Sequence, residues 1–160
     1  MGRTPRTIVS IVGIILGAML ASLITYYVGE SFGTSIVAAN SQLDYEDWID
    51  EYKGLVNIMT VLMMIIGALY YLILRFASKI TFPDDGGKRM FWAVFFTLTL
   101  IISLVFPYIY AVIEDDFING LKISLLFVVI YGLLYFWLGS LFITPPAYKY
   151  SPLGATVVRK

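Results

Sequence analysis

Four apolar runs decide what this chain can fold into: Thr7 to Val28, Leu55 to Phe76, Phe91 to Ile113 and Leu121 to Thr144. Each exceeds the roughly 20 residues needed to cross a hydrocarbon core about 30 Å thick. Inside lipid every backbone N–H and C=O must be satisfied within its own segment, so runs of this length are helices. Together they use most of the 160 residues and leave no room for a separate soluble domain. The expectation is an all-α membrane protein, one four-transmembrane-helix bundle covering residues 1–160. Its 59% hydrophobic and 14% charged residues lie far from soluble composition.

A formal net charge of zero conceals a strong polarity along the chain. Arg3, Arg6, Arg75, Lys79, Lys88, Arg89, Lys149, Arg159 and Lys160 occupy the N-terminus, the second loop and the C-terminal tail. Only Lys53 and Lys122 fall on the other side, where nine of the eleven carboxylates sit. The positive-inside rule then predicts cytoplasmic N- and C-termini and a multi-pass protein of the plasma (inner) membrane. Basic Arg3 and Arg6 ahead of an apolar run have the outline of a secretory signal. The run of about 22 residues exceeds the roughly 7 to 15 of a signal h-region, so it is read as a retained span. Arg6, standing where Ser or Thr is preferred, argues against N-myristoylation.

Within the spans, small residues recur at helical spacing. Gly13, Gly17, Ala21, Thr25 and Gly29 form a ribbon at every fourth position of the first span, a face along which another helix can approach closely. In the second span Asn57, Thr60, Met64, Gly67 and Tyr71 alternate by three and four, the pattern of a left-handed helix pair. The third carries Thr99, Ser103, Pro107 and Ala111, and Pro107 predicts a kink. The fourth carries Ser124, Val128, Gly132 and Gly139 along one side. Only about seven residues separate the third and fourth spans, so these two must be antiparallel neighbours.

The loops hold the remaining signals. Between the first two spans, Ser41 followed by Asp44 has the form of a capping box. Tyr45, Trp48, Ile49 and Tyr52 follow at helical spacing, with Asp44, Asp47, Asp50 and Glu51 mostly off that stripe. This predicts a short amphipathic helix in the first outer loop, its aromatic face on headgroups or on the tops of other spans. Pro83 to Gly87 predicts a turn, as does Asn119-Gly120 at the start of the fourth span. Residues 145–160 form a cytoplasmic tail in which Pro145, Pro146 and Pro152 favour extended backbone. Tyr148 and Tyr150 in that tail serve either a cytoplasmic partner or the inner headgroup layer.

The chain has no Cys and no His, which removes disulfides, thiol catalysis, thiolate clusters and His-ligated metals. No ionisable residue falls in the middle of a span, which argues against proton-coupled transport and intramembrane carboxylate chemistry. Lys88 and Arg89 beside Gly86-Gly87 lack the Walker spacing of a phosphate loop. Two acidic clusters, Asp44 to Glu51 and Glu114, Asp115 and Asp116, could gather cations at a pore mouth or bind calcium. They lack EF-hand spacing and are read instead as a solvated outer surface that enforces topology.

Met59, Met63 and Met64 supply an M-x-x-x-M pair in the second span. Together with the Gly13/Gly17 pair this resembles the copper-transporter family, whose spans use both motifs. The chain departs from that family in having four spans rather than three and no Met-rich or His-rich outer segment. The methionines are therefore read as core filler, and no catalytic group, cofactor or metal is expected.

An abundance of packing motifs beside an absence of reactive groups predicts a non-enzymatic membrane subunit with a structural or assembly role. Its expected partners are the lipid bilayer and other membrane subunits or further copies of itself, with no nucleic acid. Two alternatives have the same ingredients: a homo-oligomeric ion-conducting pore with an acidic outer mouth, and a small immunity or protective protein that blocks another pore.

Overall fold

A computed structural model of the chain describes residues 4–39, 44–76, 85–113 and 117–143. Apart from Asp44, everything described is helical. Helix α1 covers Thr4–Ala39, α2 Tyr45–Phe76 and α3 Asp85–Ile113. The fourth rod is composite: α4 (Phe117–Phe127), π-helical turns over Val128–Leu138, and the short α5 (Gly139–Ile143). Within these rods, Ile8–Ser31, Tyr45–Leu74, Arg89–Tyr110 and Leu121–Leu141 are long and apolar enough to span a membrane. The chain is thus an all-helical integral membrane protein of four candidate spans. The expected capping residue Ser41, the acids Glu114, Asp115 and Asp116, and the tail tyrosines Tyr148 and Tyr150 lie outside the described residues.

Neighbouring rods run α1, α2, α3, fourth rod and back to α1 around a square. The chain ascends and descends alternately, so all neighbours are antiparallel. The second and fourth rods stand on a diagonal. Their backbones do not approach closely, and side chains must fill the centre between them. Accordingly 44% and 39% of their apolar windows are buried, against 22% for each of the other two. The outward faces of all four rods, with Leu16, Met19, Leu20, Val61, Ile65, Val94, Ile101, Leu125 and Val129 exposed, form an apolar jacket suited to lipid.

The structure departs from the sequence expectation in several local ways. The aromatic stripe at Tyr45–Tyr52 is not a separate loop helix but the first turns of α2. Only Gly54 interrupts the helix-forming pattern, at a cost of about 1 kcal/mol. Burying the Trp48, Ile49 and Tyr52 side chains against the bundle outweighs that cost. Asp44 itself caps α2: its carboxylate accepts from the Glu46 N–H at 3.2 Å and its carbonyl from Trp48 N–H at 3.1 Å. Gly86 and Gly87 lie in the first turn of α3, and Asn119-Gly120 in the first turn of α4. Both pairs were expected as turns. At a helix start the first N–H groups have no intrahelical acceptor in any case, so turn-forming residues are tolerated there. Pro107 stays within α3, which continues to Ile113.

Candidate functional site: a tyrosine-bridged core beside an open groove

The centre of the bundle is a column of aromatic rings. Trp48 stacks on Tyr52 with centroids 5.1 Å apart, and Tyr52 meets Phe127 edge-on at 6.2 Å. Phe127 stacks on Tyr131 at 5.5 Å, and Tyr131 meets Tyr135 at 6.5 Å. At the end of the bundle near Leu74, a second cluster gathers Phe91, Phe95 and Phe136 around the fully buried Tyr70 at 5.3–5.9 Å. Edge-to-face and offset pairs of this kind add about 0.5–1.5 kcal/mol each beyond burial.

A buried phenol must place its O–H, and three tyrosines do so across helix boundaries. Tyr52 Oη donates to the Thr25 carbonyl at 2.8 Å, and Tyr135 Oη to the Met63 carbonyl at 3.1 Å. Tyr131 Oη and Thr60 Oγ1 share a hydrogen bond of 2.9 Å. The first two bonds repeat one device. A helical side chain leans toward the N-terminus and covers the preceding turn, so residue i+4 normally screens the carbonyl of residue i. Four residues beyond Thr25 stands Gly29, and four beyond Met63 stands Gly67. A Cβ at Gly29 would run into the Tyr52 ring, and one at Gly67 would sit 2.7 Å from Tyr135 Oη. Glycine therefore uncovers each carbonyl and makes room for the phenol that reaches it.

The remaining buried hydroxyls are mostly returned to their own helices. Thr25 donates to the Ala21 carbonyl at 2.7 Å, Thr60 to Val56 at 2.7 Å and Thr99 to Phe95 at 2.8 Å. Ser140 accepts from Trp92 Nε1 at 2.9 Å and donates to the Trp137 carbonyl at 2.8 Å, tying the fourth rod to α3. Ser103 Oγ is buried without a hydrogen-bond partner. Its carbonyl lies four residues before Pro107, which has no N–H to give. Among the described residues, the buried polar side chains are all hydroxyls: Thr25, Thr60, Thr99, Ser103, Ser124 and Ser140.

The small-residue ribbon of α1 meets two different surroundings. Ala21, Thr25 and Gly29 are buried, and Gly33 continues the same four-residue spacing under the ring of Trp48. Gly33 is the ribbon member that sequence reasoning missed, although the spacing alone could have found it. Toward the N-terminus the ribbon is more open. Gly17 is half-buried, with Tyr135 ring atoms 3.5 Å from where a Cβ would lie, and Gly13 is exposed. Here α1 and the fourth rod part to leave an apolar groove of about 150 Å³, floored by Gly13, Gly17, Ala21 and Gly67 and walled by Leu134 and Tyr135. Gly139 also borders it and has open space where a Cβ would go.

The other expected residues divide clearly. Thr60, Gly67 and Gly132 are buried, and Leu100 fills the space beside Gly132. Asn57 is exposed on the outer surface of α2. The buried face of that helix runs through Tyr52, Val56, Met59, Thr60, Met63, Gly67, Tyr70 and Tyr71, so Thr60, Gly67 and Tyr71 of the expected row lie on it, Met64 is half-buried and Asn57 lies off it. Asp44, Asp47, Asp50 and Glu51 are exposed, with Lys53 paired to Asp50 at 3.1 Å. Trp48, Ile49 and Tyr52 are buried, and Tyr45 is half-buried. The acidic surface of α2 therefore faces away from its aromatic face, which is occupied by α1. Comparison with known protein families, curated proteins and solved structures found no match to the chain.

Proposed function

We propose that the protein is a non-enzymatic subunit of a larger membrane assembly and that it receives a partner helix along the inner half of α1. The observation that carries this reading is the uneven use of the α1 ribbon. From Thr25 to Gly33 its small residues are covered by Tyr52 and Trp48 of α2, whereas Gly13, Gly17 and Ala21 floor a groove that the chain leaves open. Helices in lipid associate where backbones can approach, and exposed glycine at four-residue spacing is such a surface. Among the described residues the buried polar side chains carry hydroxyls, chiefly engaged in helix-to-helix or helix-internal hydrogen bonds, which suits scaffolding better than turnover. The distribution of basic residues supports cytoplasmic termini in the plasma (inner) membrane, with α2's acidic surface outside.

Replacing Gly13 with Leu tests this directly. The substitution adds bulk at an exposed position of the groove, so the bundle should fold as before while co-purification of other subunits in mild detergent falls about tenfold. Undiminished co-purification with Gly13→Leu would remove the support for the groove as the contact.

A further inference from the structure

The fourth rod contains an unusual element. π-helical turns are ordinarily single-turn bulges, and they concentrate at sites of function. Here they occur within Val128–Leu138, with α helix on either side and α-type bonding restored at Gly139, whose N–H donates to the Tyr135 and Phe136 carbonyls. The buried positions explain what the wider turn does. Phe127, Tyr131, Phe136 and Ser140 are all buried, spaced by four, five and four residues. In an α helix each residue turns 100°, so Tyr131 and Ser140, nine residues apart, would lie half a turn out of phase. With i to i+5 turns they share the buried side.

Three side-chain hydrogen bonds fasten this register to the rest of the bundle. Tyr131 holds Thr60 at 2.9 Å, Tyr135 holds the Met63 carbonyl at 3.1 Å, and Ser140 holds Trp92 Nε1 at 2.9 Å. An all-α rod cannot make the first and third together, because it turns one of the two residues away from the bundle. Each such bond within a membrane contributes only about 0.6 kcal/mol on average, so the three together form a weak fastening. The same segment borders the groove through Ile130, Leu134, Tyr135 and Phe136.

We propose that residues 128–138 are a two-register element: pinned by Tyr131, Tyr135 and Ser140 they stay π-helical, and unpinned they rewind to α helix, which lengthens the rod and reshapes the groove wall. The driving force for rewinding is the better geometry of α-helical backbone bonds, and the pins oppose it. Anything that enters the groove and displaces Tyr135 from Met63 would shift the balance toward the α form. This inference stands apart from the identity of any partner.

Because the chain has no Cys, paired spin labels can be placed at the exposed positions Leu121 and Leu138 of the full-length protein in lipid nanodiscs. An all-α path over these positions would span about 26 Å. The expected result is a parent distance shorter than this, lengthening toward it in Y131F/Y135F/S140A. Y135F alone, which keeps the ring and removes one pin, should show a mixture of both distances. A parent already at the all-α distance, or variants whose distances match a shortened parent, would overturn the proposal. The parent measurement involves no pin substitution, so the test survives even a triple variant that fails to fold.

Discussion

At the scale of single residues, the glycines of this protein do two jobs that look alike in the sequence. Gly29 and Gly67 uncover a backbone carbonyl for a tyrosine on another rod, whereas Gly13 leaves surface open. The two classes should separate on substitution. Gly29→Leu places a branched side chain where the Tyr52 ring sits and should lower stability by on the order of 3 kcal/mol, read as thermal unfolding of the detergent-solubilised protein. Gly13→Leu should leave the unfolding temperature within about a degree of the parent. The hydroxyls divide in the same manner. Thr60→Val loses a bond to Tyr131 and should cost about 0.6 kcal/mol. Ser103→Ala removes an unpartnered buried hydroxyl and should be neutral or stabilising by up to about 1 kcal/mol. A loss from Ser103→Ala larger than that from Thr60→Val would mean that the Ser103 hydroxyl has a partner in the membrane.

At the scale of elements, α2 organises the end of the molecule at which Trp48 and Tyr52 pack on α1. At about 1.5 Å per residue its 32 residues extend roughly 48 Å, and the 36 of α1 roughly 54 Å. Both exceed a hydrocarbon core of about 30 Å. The surplus forms an antiparallel extension in which Trp48 and Tyr52 lie over Gly33 and Gly29. Single cysteines stepped through positions 45–60 should therefore label with one unbroken 3.6-residue period, fast at Asp47, Asp50 and Glu51 and slow at Trp48, Ile49 and Tyr52. A break in that period at Lys53-Gly54 would restore a separate loop helix. The spans themselves were legible because twenty apolar residues in lipid have one solution, and the α1 ribbon was legible because a spacing of four is a property of one helix. The course of α2 was not, since whether Gly54 ends a helix depends on what its aromatic turns can bury. The seam of α2 was legible in part: Thr60, Gly67 and Tyr71 lie on the buried face and Met59 and Met63 fill the core as read, whereas Asn57 stood out by polarity and is exposed. The π turns were hidden. Val128 to Leu138 offers apolar residues at any period, and only the partners of Tyr131 and Ser140 choose among them.

At the scale of the whole molecule, the four rods close a square whose centre, among the described residues, is filled largely by tyrosine, tryptophan and phenylalanine rings. The surfaces around that centre are the acidic end of α2, the apolar jacket, and the groove at Gly13 and Gly17. If the protein is an assembly subunit, the groove is where the chain is incomplete by itself, and its occupant should be another membrane helix. The most direct measurement is the mass of the particle released from its native membrane in a mild detergent, by native mass spectrometry. The account predicts a complex in which the 18.0 kDa chain is accompanied by other membrane subunits, and from which Gly13→Leu dissociates as a folded monomer. A parent protein that emerges from its native membrane as a single 18.0 kDa chain, with the same mass in the Gly13→Leu variant, would contradict it.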